Sequence, residues 1–423
     1  MLVYYPKWAQ ERHFMSKIEE YIVRGDSFVK RIHKRDGSFV ESSIPIAREG
    51  VDASPSGFDI EWLKLRNRPT LSVANPTKLN LVDLFCGMGP MTLGVVEAGR
   101  CLGIDITPVF AVDFESDAAN HYRLNFPTAR VENADIFDFI DGNFGDDATE
   151  KEKNLLKSLP RVDFLIGGPP CQGFSDLNNH TRRDDPRNTL IFRMVRFAEL
   201  AQPDYIIIEN VQGIRHDKKN ALGVAKENLR KLGYHLHDNL LMASDFGVAQ
   251  NRRRFLLVAT KRDLPSYDLS QYVRSTPTSC MWAFGDLLDH SGSKDNFDTP
   301  ATLYPVNQKR LDYLFEHGLY ELPNHLRPKC QQSESNRYTS VYSRMYPDKP
   351  APTITSGFGS IGQGRFGHPL VNRTITPHEA ARIQFIPDFF NFIRDTKRFS
   401  MQKMIGNAVP PKLTYVLALE ILR

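Results

Sequence analysis

The 423-residue chain has few cysteines, no long apolar run and almost no excess of one charge. Its five cysteines stand far apart without paired spacing, so neither a disulfide framework nor a zinc site is indicated. No apolar stretch approaches the length that spans a bilayer, and the first residues lack the apolar region of a signal peptide. We therefore expect a cytoplasmic protein without membrane contact. The net charge of +4 permits nucleic-acid binding but does not argue for it.

The length predicts two or three domains, and the first of them, residues 1–78, precedes every strong motif. Phe14, Ile18, Tyr21 and Ile22 fall at helical spacing, and residues 28–46 have the pattern of a hairpin. We therefore expect an amino-terminal extension of a helix plus a hairpin, with residues 54–57 as linker. The basic edge of this hairpin is a secondary candidate for nucleic-acid contact, against the plainer interpretation of a solvated face.

Residues 79–262 alternate between strands and helices, which predicts a parallel sheet covered on both faces. The strands are expected at 79–85, 109–114, 162–166, 205–209, 235–242 and 255–260, and the helices at 91–99, 116–125, 188–201 and 219–232. From about residue 261 the periodicity weakens and turn residues dominate. We expect residues 263–398 to form a smaller β-rich or irregular domain. Residues 399–423 then return to the first domain and end in a helix.

One stretch, Gly167-Gly168-Pro169-Pro170-Cys171-Gln172-Gly173-Phe174-Ser175, follows a short apolar strand. Its glycines and prolines would hold Cys171 in a rigid loop beyond the carboxyl end of that strand, where ligands bind in open α/β sheets. A lone cysteine is usually a small core residue. Because the flanking residues are wrong for a core position, we identify Cys171 as a candidate nucleophile.

A second candidate site combines the ends of two earlier strands. Gly87 and Gly89, directly after the first strand, would let the backbone approach a ligand beside a helix amino terminus. Asp113 ends the next strand, where a carboxylate can take a ribose hydroxyl pair. Phe114 could lie on an adenine face, and Asp135 is placed to reach the adenine edge. Each acid alone could be a helix cap or a solvated charge, but together they favour an adenosine-type cofactor.

A further carboxylate, Glu209, ends the buried strand that follows the cysteine loop. A buried glutamate is rare without a function, so it is a candidate acid, although a structural ion pair is the alternative. The segment Gln250-Asn251-Arg252-Arg253-Arg254 begins the last strand. Alternation places Arg252 and Arg254 on one face, where the two arginines could hold an anionic or carbonyl ligand.

In this order, the motifs resemble those of the DNA (cytosine-5)-methyltransferase family. The resemblance covers roughly residues 79–260 and 344–423 and rests on many motifs in family order: Asp83-Leu84-Phe85-x-Gly87-x-Gly89, the cysteine loop at 167–175, Asp185-Pro186-Arg187-Asn188-Thr189-Leu190, Glu209-Asn210-Val211, Gln250-x-Arg252-x-Arg254, Lys349-Pro350-Ala351-Pro352-Thr353, the segment 382–388, and Gly406-Asn407-Ala408-Val409-Pro410-Pro411. Pro90 departs from the family's usual glycine, but proline is tolerated in the first turn of a helix. Residues 1–78 have no counterpart in the family's minimal form.

The resemblance implies a Rossmann-like S-adenosylmethionine-dependent methyltransferase domain with a target-recognition domain at 263–398. It implies catalytic roles for Cys171, Glu209, Arg252 and Asn210: covalent attack on the base, proton donation, a contact to the base's carbonyl oxygen and support of the cysteine loop. The cofactor would be held by Phe85, Gly87, Gly89, Asp113, Phe114, Asp135, Leu190 and Asn407. No step of this chemistry needs a metal, and the target cytosine must flip out of the duplex.

We therefore predict methylation of carbon 5 of cytosine in a short double-stranded DNA sequence, by a monomer that protects DNA from a separately encoded restriction endonuclease. The alternatives are a tRNA methyltransferase of the same fold and a silent DNA-binding homologue, which the intact Cys171, Glu209 and Arg252 disfavour. The recognised sequence stays undetermined, because base readout depends on a few loop side chains. The candidates for base contacts are basic residues of the 263–343 segment: Arg274, Lys309, Arg310, Arg327 and Arg337.

Overall fold

The computed structural model describes residues 18–46, 51–170, 190–211, 220–264, 266–289, 295–332 and 340–423. In chain order the strands and helices of these residues are β1 (Glu19–Arg24), β2 (Ser27–His33), β3 (Phe39–Pro45), α1 (Pro55–Lys64), β4 (Thr77–Leu84), α2 (Pro90–Leu102), β5 (Ile104–Asp113), α3 (Ser116–Asn125), β6 (Arg130–Asn133), α4 (Glu150–Ser158), β7 (Phe164–Gly167), α5 (Ile191–Ala201), β8 (Tyr205–Asn210), α6 (Ala221–Lys231), β9 (His235–Met242), β10 (Gln250–Asn251), β11 (Arg253–Thr260), α7 (Cys280–Phe284), α8 (Pro305–Glu316), β12 (Ala351–Pro352), α9 (Pro377–Ile383), α10 (Arg398–Asn407) and α11 (Pro411–Leu422). No helix in these ranges is long and apolar enough to cross a membrane.

The largest sheet has seven strands in the order β6-β5-β4-β7-β8-β11-β9. The strands from β6 to β8 are parallel, as the sequence predicts. The expectation of an all-parallel sheet is wrong at β11, which pairs antiparallel with both β8 and β9. The cause is the short connection between β9 and β11, since parallel neighbours need a crossover of a dozen or more residues.

Both faces of this sheet are buried, and each face has its own apolar cluster. On β7, Phe164 and Ile166 belong to the cluster under α2, α3 and α11, whereas Leu165 belongs to the cluster under α5 and α6. Strands buried on both faces must be apolar at every position, which is why they read as continuous runs in the sequence. The prediction of an α/β fold covered on both faces is therefore confirmed.

The carboxyl-terminal helix α11 packs directly on α2. A Cβ atom at Gly94 of α2 would lie 2.1 Å from the carbonyl oxygen of Pro411 and 2.2 Å from Thr414 Oγ1. Thr414 Oγ1 donates to the Met91 carbonyl at 2.9 Å. Only glycine therefore allows the two backbones to approach this closely, and the expected terminal helix returns to the sheet at this point.

The amino-terminal part is a three-stranded meander, β1-β2-β3, followed by α1. The predicted hairpin is confirmed. The predicted helix is wrong in its described part, because Glu19–Arg24 is a strand that pairs with β2 across a turn at Gly25, whose φ is +59°. The expected linker at 54–57 is also wrong, since Ser54 caps α1 by accepting from the Gly57 N–H.

Buried charged residues attach this meander to α11. Lys30 is 2% exposed, donates to the Tyr415 hydroxyl at 3.2 Å and lies 3.6 Å from Glu19. Asp59 of α1 pairs with Lys412 at 2.7 Å and with Arg274 at 3.3 Å. Lys30 and Arg274 therefore have structural roles, which leaves them out as candidates for DNA contact, whereas the rest of the basic hairpin edge stays a prediction.

The described residues of 263–343 form short helices and turns rather than a β-rich domain. Four of the buried side chains around α8 form a small core separate from those of the large sheet: Leu311, Leu314, Leu322 and Ile361. Two candidate base-contact residues make internal bonds here, Arg310 to the Leu326 carbonyl and Arg327 to the Leu322 carbonyl. Arg337 lies outside the described residues. Of the four candidates within the described residues, Lys309 is the one for which no structural role is seen there.

Gly94→Ala should destabilise the protein, because its Cβ cannot be accommodated without moving the backbone of α11. Overpacking of this kind costs about 1–3 kcal/mol, which denaturant unfolding would measure. Gly223→Ala is the matched control, since its Cβ meets only the Asn220 side chain and alanine is the better helix former. Equal stability of the two variants would contradict the close packing of α2 and α11.

Candidate active site

The ends of four neighbouring parallel strands meet at one edge of the sheet. Leu84 of β4 is in register with Val112 of β5 and Gly167 of β7, and Gly167 is in register with Ile208 of β8. The glycine turn, Asp113, Gly168 and Glu209 follow these positions directly. The register therefore supports the prediction that both candidate sites lie at the same edge of the sheet.

The turn after β4 has three residues in the left-handed region. The φ angles are +61° at Phe85, +54° at Gly87 and +97° at Gly89. A Cβ at Gly87 would meet no atom of the described residues within 4 Å, so the backbone there leaves room for a ligand among them. A Cβ at Gly89 would lie 2.6 Å from the Phe126 ring, so this glycine is required by packing. Pro90 occupies the first turn of α2, where proline needs no hydrogen-bond partner.

Asp113 holds this turn in place with both of its carboxylate oxygens. Its Oδ2 accepts from the Gly87 N–H at 2.8 Å, and its Oδ1 accepts from the Glu115 N–H at 2.9 Å. Burial raises the pKa of Asp113, and the two N–H donors lower it. Asp113 thus couples the end of β5 to the glycine turn, whichever ligand it also binds.

The remaining candidates for cofactor contact differ in their exposure and in the contacts that they make. Phe114 is 73% exposed, which leaves a ring face free for stacking. Asp135 accepts from the Phe137 N–H at 3.0 Å and caps a short 3-10 helix. Leu190 packs, like Phe85, against the core cluster below α5, and Asn407 is exposed at the end of α10.

Glu209 is paired with Arg254 at the end of β8. Arg254 Nε lies 2.8 Å from Glu209 Oε1, and the two side chains are only 16% and 12% exposed. Burial raises the pKa of Glu209, and the charges of Arg254 and Arg252 act against this. A Cβ at Gly168 would lie 3.2 Å from Glu209 Oε2. The carboxyl therefore lies against the start of the loop that leads to Cys171, which itself is outside the described residues.

The neighbouring Asn210 is buried, and its Oδ1 accepts from the Val211 N–H at 2.8 Å. This bond fixes the chain as it leaves β8, directly after the glutamate. Asn210 therefore has a visible role in shaping the edge of the sheet.

Arg252 and Arg254 do not share one strand face as the alternation predicts, because the strand is interrupted at Arg252. The Arg252 N–H bonds to the Gln250 carbonyl at 3.0 Å, a tight turn that separates β10 from β11. The Arg252 guanidinium is buried and donates to the carbonyls of Ile354 at 2.8 Å and Gly406 at 2.9 Å. Arg252 therefore has a structural role, while its contact to the base stays a prediction, and Arg254 is the arginine that is paired with Glu209.

Two glutamines that the sequence reasoning missed complete this connection. Gln250 donates to Gln384 Oε1 at 2.8 Å and accepts from the Ile354 N–H at 2.8 Å. Gln384 donates to the Ile405 carbonyl at 2.7 Å. We call Gln250, Arg252 and Gln384 the buried polar clamp. The motif Gln-x-Arg-x-Arg contained this signal, but its partners are more than 100 residues away in the chain.

Comparison with known proteins agrees with this architecture. The model of the family described as C-5 cytosine-specific DNA methylase matches residues 79–423. The chain is similar to Type II methyltransferase M1.BsuMI of Bacillus subtilis, with 44% identity over 96% of this chain and 95% of that protein. It is also similar to Type II methyltransferase M.DdeI of Desulfomicrobium norvegicum, with 30% identity over 81% of this chain and 88% of that protein.

Solved structures share the fold. A putative DNA modification methyltransferase encoded within an E. coli prophage superimposes with a TM-score of 0.55 at 24% identity, covering 81% of this chain and 98% of that one. The S. pombe Dnmt2 methyltransferase gives a TM-score of 0.52 at 19% identity, covering 82% and 98%. At these identities the likeness concerns the fold alone.

The three consecutive arginines should differ in their effect on stability. Arg252→Met leaves two buried carbonyls without donors and should lower the free energy of unfolding by about 1–3 kcal/mol. Arg253→Met, at an exposed position, is the control and should change it little. Arg254→Met should resemble the control, because Glu209 can become protonated. Denaturant unfolding measures all three, and a tolerated Arg252→Met would refute the clamp.

Proposed function

This chain belongs to the C-5 cytosine-specific DNA methylase family, and from that premise we propose a role for each residue of the active edge. The protein is a DNA (cytosine-5)-methyltransferase, and its relatives are Type II methyltransferases. The observation that carries the assignment is a mostly buried carboxyl, Glu209, which lies two strands from an open glycine turn and beside the start of the cysteine loop.

The proposed methyl donor is S-adenosylmethionine, which supplies an electrophilic methyl group when bound. The residues fit it, because Gly87 leaves its backbone open and Phe114 leaves a ring exposed beside Asp113. Asp113 would take the ribose hydroxyls, and Asp135 would take the adenine edge. Phe85, Gly89, Leu190 and Asn407 would complete the walls of the site.

Cys171 is proposed as the nucleophile, since carbon 5 of cytosine is itself a poor one. Its thiolate adds to carbon 6, which converts the ring into an enamine. Glu209 donates or shares a proton at ring N3 as negative charge develops there, a task for a carboxyl whose pKa is raised by burial. After methylation the C5 proton leaves and the thiolate is expelled.

Arg254 is proposed to orient Glu209 and to contact the carbonyl oxygen of the base, the role first expected of Arg252. Its support is the 2.8 Å contact to Glu209 and the two carbonyl bonds that occupy Arg252. Asn210 would hold the chain between the acid and the cysteine loop.

The proposed substrate is double-stranded DNA with the target base flipped out, since carbon 5 cannot be attacked inside the duplex. We propose that the recognition domain lies within 263–398, and that its reading part is the α8 region, because this region has a core of its own. A cytoplasmic monomer that protects DNA from a separate endonuclease is the role we propose, in keeping with the names of its relatives.

In the presence of S-adenosylmethionine, duplex DNA containing 5-fluorocytosine at the target should trap the wild-type protein covalently, because after methyl transfer the fluorine cannot leave as the C5 proton does. Cys171→Ala should form no adduct and transfer no labelled methyl group, while retaining cofactor affinity. Denaturing gels and peptide mapping give the readout, with Cys330→Ala, at an exposed position, as the control. An adduct on another cysteine, or transfer to tRNA in place of DNA, would overturn the assignment.

Glu209→Gln should reduce turnover by about 10²- to 10⁴-fold, the usual loss for an acid–base group. DNA affinity should change little, because the amide keeps the shape of the carboxyl. Since the wild-type reaction needs the protonated carboxyl, its single-turnover rate should fall as pH rises through the pKa of Glu209. The variant should lack this dependence, and an unchanged pH profile would reassign Glu209 to a structural role.

A further inference from the structure

Helix α10 carries an exposed stripe along its length. Phe399, Lys403 and Asn407 follow one another at four-residue spacing, so they lie on one face of the helix. Phe399 is 71% exposed, and Asn407 is exposed as well. The opposite face is buried through Met401, Met404 and Ile405. The helix is thus firmly packed on one side and open on the side that carries Asn407.

The carboxyl end of α10 is fixed at the catalytic edge. The Gly406 carbonyl accepts from Arg252, and the Ile405 carbonyl accepts from Gln384. A Cβ at Gly406 would lie 2.3 Å from the Ser356 N atom, so the backbone has no room to shift there. The position of Asn407, the next residue, is therefore constrained by the buried polar clamp.

The middle of α10 is fixed at the other end of the proposed cofactor site. Lys403 Nζ lies 2.7 Å from Glu115 Oε1, although the two residues are 288 positions apart. Glu115 follows the exposed Phe114, and its N–H donates to Asp113 Oδ1. One helical turn, a rise of about 6 Å, separates Lys403 from Asn407. The open stripe of α10 therefore runs from the adenosine side of the site toward the methyl-transfer side.

We propose that Glu115 and Lys403 are positioning residues for the cofactor. Their ion pair joins the loop after β5 to α10 and holds Asn407 and Phe114 at a fixed separation, which sets the residence time of the bound cofactor. This inference rests on the proposed cofactor site. A role in folding stability does not account for this pair, because exposed ion pairs add little to stability. The buried face of α10 already packs the helix against the rest of the protein.

Cofactor dissociation tests the proposal directly, with S-adenosylhomocysteine as the probe and the full chain in solution. Glu115→Ala and Lys403→Ala should each raise its Kd by roughly threefold to tenfold at an ionic strength of about 0.01 M, mainly through faster release. At about 1 M salt the difference should largely vanish, because the Debye length is then only about 3 Å. The KM for the methyl donor should rise. The single-turnover rate constant at saturating methyl donor should stay near that of the wild type.

A charge exchange separates pairing from loss of either side chain. Glu115→Lys combined with Lys403→Glu should restore most of the affinity, whereas each reversal alone should weaken binding more than alanine does. Lys226→Ala and Asp238→Ala are the matched controls, since that pair has the same 2.7 Å separation at partly exposed positions elsewhere in the protein. Melting temperatures should agree across all variants and controls.

The outcomes are distinct. Unchanged Kd values, effects equal to those of the control pair, or no restoration in the exchanged protein would each refute the positioning role. A wild-type protein that binds neither S-adenosylhomocysteine nor S-adenosylmethionine would instead refute the proposed cofactor site. Covalent trapping of 5-fluorocytosine DNA requires the methyl donor, because fluorine blocks elimination only after methyl transfer to carbon 5. Trapping by the Glu115 and Lys403 variants at saturating S-adenosylmethionine therefore shows that the proposed chemistry stands, whatever the Kd values say about the positioning role.

Discussion

The active edge depends on the buried polar clamp of Gln250, Arg252 and Gln384. These side chains satisfy backbone groups of Ile354, Ile405 and Gly406, which come from the last fifth of the chain. A buried carbonyl without a donor costs as much as a lost hydrogen bond, so the segments cannot separate cheaply. Arg254 lies two residues after Arg252 of the clamp. Its backbone is therefore held in place where its side chain contacts Glu209. The geometry around Glu209 therefore depends on the folding of the carboxyl-terminal segment.

Two carboxyl groups at the same edge differ in their partners, although burial raises the pKa of both. Asp113 accepts two backbone N–H groups and organises the glycine turn. Glu209 is instead paired with one arginine side chain in a mostly buried position. This contrast supports the proposal that Asp113 serves binding and structure while Glu209 serves proton transfer.

The amino-terminal meander is bound to the same framework through charges that are not exposed. Lys30 lies among the rings of Tyr21, Phe58 and Tyr415, and it contacts Glu19 and the Tyr415 hydroxyl. Burial lowers the pKa of Lys412 to about 8, and the neighbouring carboxyl of Asp59 opposes this shift. Breaking such a buried pair costs more than the pair contributes, which favours a single docking geometry. The meander therefore supports α11, which in turn packs on α2 beneath the glycine turn.

The sequence by itself determined the alternating strands and helices, the strand ends that carry Asp113 and Glu209, and the family, because these signals are local and spaced by backbone geometry. It predicted β9 and α3 with their exact bounds, since apolar periodicity and flanking turn residues coincide there. It misjudged Glu19–Arg24 and the antiparallel β11, and it did not indicate the bonds of Arg252 to distant carbonyls. Only the tertiary structure decided these, because strand direction and the choice between Arg252 and Arg254 depend on partners far away in the chain. The local sequence gives the type of a side chain, whereas tertiary packing determines its partner.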